Sequence, residues 1–173
     1  METSTREVGQ VNKYALIIDH EACWGCKTCE AVCAQEYEFA KRYLRVSEEG
    51  PTPGDGMTDY TYSVNVCRHC DDPPCAEACP EQAITKREDG IVILDAEACT
   101  GCQSCIEACP YDALWFDDNT QKALKCNLCH HRVDKGLIPA CAANVCLAHC
   151  IYFGDPEAVE AQIEGKRKKR QTR

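Results

Sequence analysis

Apolar positions along this chain come in short runs separated by polar, cysteine-rich stretches. Lys13 to Asp19 (KYALIID) and Tyr60 to Val66 (YTYSVNV) read as strands, the second by strict alternation. Arg42 to Val46 reads as another, followed by a loop at Pro51, Pro53, Gly54 and Gly56. Ala83 to Lys86 and Ile91 to Leu94 are two strands joined through Asp89-Gly90, a hairpin turn signal. Ala113 to Phe116 and Lys122 to Lys125 repeat that hairpin, with Asp117-Asp118-Asn119 as the turn. Cys29 to Tyr37 predicts a short helix. Pro156 to Ile163 predicts another, with Pro156 at the first helical position and Gly165 as its C-terminal cap. The order strand, cysteine run, helix, hairpin recurs, so the chain is an internal repeat.

The cysteine runs change the picture. Cys99, Cys102, Cys105 and Cys109 with Pro110 spell C-x2-C-x2-C-x3-C-P, the bacterial ferredoxin run. Its first three thiolates serve one iron–sulfur cluster, and the fourth, beside proline, ligates another. Such a run is incomplete alone. Cys23, Cys26, Cys29 and Cys33 repeat the spacing without the proline, since Ala34 follows. Cys67, Cys70, Cys75 and Cys79 repeat it with Asp72-Pro73-Pro74 widening the middle and Pro80 at the end. The last run starts at Cys126 and Cys129 and continues at Cys141 and Cys146, with Cys150 beyond the quartet.

Composition narrows the class. Seventeen of 173 residues are cysteine, which raises the possibility of a disulfide scaffold. The odd count argues against it. So does the polar stretch Met1 to Val11, which lacks the apolar region of a secretory leader. The expectation is a cytoplasmic chain without a membrane span, whose reduced thiols serve metals. Three Phe, two Trp and seven Tyr are few large side chains, so metal binding has to contribute folding free energy. The net charge is −9, yet Lys166, Arg167, Lys168, Lys169, Arg170 and Arg173 crowd the end. A basic tail on an acidic body suggests docking to a partner or a solvated end, not nucleic acid.

The four runs in this order resemble the four-cluster ferredoxin-type electron-transfer subunits of molybdenum or tungsten pterin oxidoreductases. The resemblance spans Lys13 to Asp155. It is strongest at Cys67-Arg68-His69-Cys70-Asp71-Asp72-Pro73-Pro74-Cys75, at Pro139-Ala140-Cys141 and at Phe153-Gly154-Asp155. It implies an α+β fold of two ferredoxin-like modules with little regular structure. Runs one and four build an outer module (1–60 and 122–155), runs two and three a central one (61–121), and 156–173 is a helix and basic tail. It further implies crossed ligands: Cys67, Cys70 and Cys75 with Cys109; Cys99, Cys102 and Cys105 with Cys79. In the outer module Cys23, Cys26 and Cys29 share a cluster with Cys146, and Cys126, Cys129 and Cys141 share theirs with Cys33.

The fourth run departs from the family by a four-residue spacer (Ala142 to Val145) and by Leu147 in place of proline. Three 4Fe-4S clusters are therefore expected, with a fourth cluster or zinc at the remaining site, where His130, His131 and His149 lie near. The short chain is similar in size to the small subunits of tungsten aldehyde oxidoreductases and benzoyl-CoA reductases. The implied partners are a larger catalytic subunit and an external electron carrier. A free-standing polyferredoxin and a zinc-stabilised interaction module are the alternatives. Cys150 is expected to be a small buried hydrophobe, Trp24 and Trp115 to pack over a cluster or in a hairpin core, and His20 and His69 to lie at the surface. No glycine-rich phosphate loop, nucleophile elbow or carboxylate pair appears, so no catalytic site of its own is expected.

Overall fold

The computed structural model describes residues 13–37, 41–53 and 58–171. Short helices and four two-stranded antiparallel sheets make an α+β fold with little regular structure. The period-two segments form hairpins because each can bury only one face. β2 (Leu44–Pro53) pairs with β3 (Thr58–Val66), and the register shifts between Glu49 and Thr52. β4 (Ile84–Lys86) pairs with β5 (Val92–Leu94), and β6 (Leu114–Asp117) with β7 (Lys122–Lys125). At the β6–β7 turn Asp117 accepts from the Asn119 amide and the Thr120 hydroxyl, an Asx-type closure.

The fourth sheet joins the two ends of the chain. β1 (Ala15–Ile18) pairs with β8 (Ile151–Gly154), Ala15 opposite Gly154 and Ile18 opposite Ile151. Helix α1 (Thr28–Glu36) then packs against the 3-10 turn Ala140–Ala142. The buried carboxylate of Glu30 ties α1 to β2 by accepting from the Val46 amide at 2.5 Å and from Arg42 at 3.0 Å. Three further helices, α2 (Pro74–Glu77), α3 (Ser104–Glu107) and α4 (His130–Val133), are single turns between the cysteines of a run.

The core is divided to match. One buried cluster gathers Leu44, Val46, Val64, Val66 and Ile151 with Cys29, Cys33, Cys67, Cys126, Cys141 and Cys146. A second gathers Ala83, Ile84, Val92, Leu114 and Ala123 with Cys75, Cys99 and Cys105. Cysteine supplies a large share of each.

Four expectations need correction. Pro51 and Pro53 lie in β2, not in a loop, while Gly54 and Gly56 fall outside the described residues. The last helix, α5 (Pro156–Gln171), runs through Gly165 into the basic segment. Val159 and Ile163 bury one stripe of it against Tyr152 and Ile17, and Arg167 reaches the buried carboxylate of Asp19 at 2.6 Å, so the packed face carries the helix past the glycine. Trp24 is 66% exposed and covers no core. His69 is 3% exposed, because its Nδ1 accepts the Val92 amide at 3.0 Å on the open edge of β5.

Candidate iron–sulfur sites

Each cysteine run carries a left-handed residue at the same place. Two residues after the first cysteine stand Gly25, His69, Gly101 and Leu128, all left-handed, with φ of 65°, 49°, 77° and 55°. In runs two and four the benefit of this conformation is visible. The His69 amide donates to Cys67 Sγ at 3.3 Å, and the Leu128 amide to Cys126 Sγ at 3.4 Å. A left-handed residue other than glycine costs about 1–2 kcal/mol. His69 offsets this with its bond to Val92, and Leu128 with a side chain only 1% exposed. In runs one and three glycine is required by space: a Cβ on Gly25 would overlap the Tyr62 ring, and one on Gly101 the Gln121 carbonyl.

The thiols gather in sets that draw on different runs. Cys29 has Cys146, Cys23 and Cys26 as its electrostatic neighbours, and burial pushes its thiol up to about 12. Cys141 is raised well above the ordinary range, first by burial and then by Cys126, Cys129 and Cys33. Cys75 is raised by burial, with Cys67, Cys109 and Cys70 beside it. Cys105 is pushed up to about 11 by burial and by Cys99, Cys75, Cys79 and Cys102. Buried thiols raised in this way are poor places for bare thiolate and good places for a soft metal centre that takes up the charge.

Two of these sets line enclosed apolar spaces. One is bounded by Cys67, Cys70, Cys75 and Cys109 with Pro73 and Val92. The other is bounded by Cys33, Cys126, Cys129 and Cys141 with Tyr37 and Leu44. Four soft donors around a dry cavity fit a cluster ligated by Cys₄. Among the described residues no three His, Cys, Asp or Glu side chains close round a single ion. The histidines near run four are engaged elsewhere: His131 Nε2 meets Glu36 at 2.8 Å, His130 faces Asp134 at 3.7 Å, and His149 is exposed. Glu36 is held below the usual carboxylate range by His131 and then Arg132.

The sets also stand in a row. Cys105 has Cys75 as an electrostatic neighbour, Cys126 has Cys67, and Cys141 has Cys29, so each set lies beside the next. At the two extremes of the row lie Cys26 and Cys102, the exposed cysteines among the described residues. Cys26 is held low by the Thr28 hydroxyl and amide, and Cys102 by Ser104 in the corresponding way. Cys150 is 2% exposed with its Sγ 3.4 Å from Cys146 Sγ, buried as its apolar character predicted yet in contact with the end set. Burial raises its thiol first, then its hydrogen bond with Cys146.

Sequence reasoning missed one polar residue of the site. Lys125 is 3% exposed, and its Nζ donates to the carbonyls of Val92 at 2.6 Å and Cys126 at 2.9 Å. Its place in the run of alternating burial in β7 was the available signal: Ala123 and Lys125 share the buried face.

Buried thiol sets drawn from four cysteine runs and standing in a row define an iron–sulfur electron-transfer protein. Residues 58–156 match the family described as 4Fe-4S dicluster domains, and this protein is a member of that family. It is similar to the B subunit of tetrathionate reductase from Salmonella typhimurium, 39% identical over 155 residues, covering 88% of this chain and 62% of that protein. The B subunit of polysulfide reductase from Wolinella succinogenes is 36% identical over 155 residues, covering 87% and 81%. The B subunit of anaerobic dimethyl sulfoxide reductase from Escherichia coli is 35% identical over 153 residues, covering 82% and 73%. The chain thus spans less than two thirds of the tetrathionate protein's length.

Proposed function

We propose that this chain is the electron-transfer subunit of a molybdenum- or tungsten-pterin reductase complex. Four 4Fe-4S clusters, when bound, supply one-electron chemistry along its length. Their proposed ligands are Cys79, Cys99, Cys102 and Cys105; Cys67, Cys70, Cys75 and Cys109; Cys33, Cys126, Cys129 and Cys141; and Cys23, Cys26, Cys29 and Cys146. The observation that carries the reading is the row of electrostatic neighbours Cys105–Cys75, Cys67–Cys126 and Cys141–Cys29 between successive sets. For the third site, the enclosed space beside Cys141 and the outward engagement of His130 and His131 favour a cluster over zinc.

The chain's own residues hold and insulate. Leu44, Val92 and Leu128 exclude water from the inner sites. The amides of Tyr43, His69, Leu128 and Cys150 donate to the sulfurs of Cys33, Cys67, Cys126 and Cys146, which favours added negative charge at those sulfurs. The division into an outer module (1–60 and 122–155), a central module (61–121) and a tail (156–173) draws support from the β1–β8 pairing, which joins the segments that carry the first and last runs.

The end near Cys26 is proposed to face the catalytic subunit. Trp24 and Leu147, 66% and 60% exposed, flank it and suit an apolar interface. The end at Cys102 is left for an external electron carrier. A cytoplasmic site, where thiols stay reduced, suits the cysteine set. Among the described residues no helix is long and apolar enough to cross a membrane. The relatives' names point to reductases of tetrathionate, polysulfide or dimethyl sulfoxide, and those names favour an enzyme of that kind over an aldehyde oxidoreductase or benzoyl-CoA reductase. Anaerobic purification with cross-linking tests the whole reading. A pterin-containing subunit should co-purify and cross-link around Trp24 and Leu147. A chain that purifies alone at native abundance is a free polyferredoxin, and contacts confined to Cys67 to Cys109 would reverse the orientation.

A further inference from the structure

Lys125 stands at the seam between the two inner sites. It closes β7 and immediately precedes Cys126. Burying an ammonium is costly unless its donors are satisfied and charge lies close by. Two carbonyls, Val92 and Cys126, fix the Nζ from opposite sides of the seam. Both acceptors belong to the sites: Val92 lines the space with Cys67, Cys70, Cys75 and Cys109, and Cys126 lines the one with Cys33, Cys129 and Cys141. His69 packs at the same seam, 3% exposed, with its Nδ1 accepting the Val92 amide at 3.0 Å, and Arg68 lines the Cys67 side of it over the Tyr111 ring. In the outer sites Cys29 and Cys105 answer to burial and to neighbouring thiols.

We propose that Lys125 is a positioning residue for charge, a fixed cation that raises the reduction potentials of both inner clusters relative to the outer two. This rests on the cluster reading given above. Each cluster gains one negative charge on reduction, with the electron supplied by the external carrier. A buried cation beside two clusters favours that reduced state in both, because the surrounding medium screens it weakly. An electron entering at either exposed end is then drawn to the middle of the row. The carbonyl bonds matter because they stop the long side chain from swinging out to water.

Lys125→Gln, Lys125→Met and Lys125→Arg in the full chain, purified anaerobically, test this by redox titration followed by EPR, after iron and sulfide are counted. In the Gln and Met variants two cluster signals should fall by at least tenfold in their reduction equilibrium, about 59 mV for one electron. The other two should move less, and Arg should hold all of them near the parent values. Unchanged potentials, an equal fall in every signal, or an Arg variant that shifts as far as Met would overturn the proposal. Loss of iron from both neutral variants would also overturn it, by showing that the amine serves folding alone. A parent chain without clusters would instead defeat the functional reading on which the proposal stands.

Discussion

Gly101 shows how much of each site depends on a single atom. Its φ of 77° is left-handed, and a Cβ there would overlap the backbone carbonyl of Gln121, which cannot swing aside as a side chain does. Gly101→Ala should cost about 1–3 kcal/mol of stability and release the cluster of Cys99, Cys102 and Cys105 first. Thermal unfolding with iron analysis checks this; an alanine variant with full iron and an unchanged midpoint contradicts it. The buried thiols set a pH dependence. Cys29 and Cys105 have folded values of about 12 and about 11, above the ordinary thiol value of 9.0. A raised value means the neutral thiol is the one the fold accommodates, so this contribution is complete below pH 9 and is lost as pH rises through 11 and 12. The cluster-free chain should therefore lose in that window whatever ordered structure it keeps in circular dichroism, and the reconstituted chain, its thiolates already bound, should not show this step. The glycines were legible in the sequence beside their cysteines. Leu128 and His69 were not, because what makes their backbone tolerable is a distant partner and not their own residue type.

At the scale of elements, the local hairpins were legible and the long-range pairings were not. Asp89-Gly90 and alternating apolar positions are enough to announce β4 and β5. β8 carries no such signal: Ile151 to Gly154 becomes a strand because β1 lies beside it. The tail was misjudged for a related reason. Like charges at a chain end suggest a solvated segment, yet Arg167 and Arg170 both turn to Asp19, whose side chain is fully buried, at 2.6 and 3.7 Å. The Asp19 amide in turn donates to the Cys150 carbonyl at 2.8 Å, so α5 braces the entry to run one. Removing Gly165 to Arg173 should thus loosen the Cys23 end as well as any docking role. Arg167→Ala should lower the thermal midpoint, and Asp19→Asn added to it should recover part of the loss by removing the stranded charge. A double variant less stable than Arg167→Ala would show that the pair is not what holds the helix.

Across the whole molecule, the four cysteine runs were readable from spacing alone, and their spacing already implied that ligands cross between runs. What spacing did not convey is the order of the sites in space, or the cation between the inner two. Both follow from how β5, β7 and the first and last strands pack, which no single run encodes. The fourth run's longer spacer and missing proline left its metal open, and its histidines drew attention to zinc. In the fold those side chains point to Glu36, to Asp134 and to solvent, while Cys33 and Cys141 face the same enclosed space. The central claim is four clusters in one row. Iron, acid-labile sulfide and zinc determined together on the anaerobically purified chain test it most directly. Four such clusters contain about sixteen iron and about sixteen sulfide per chain, with no stoichiometric zinc. About twelve of each, accompanied by one zinc, would contradict it.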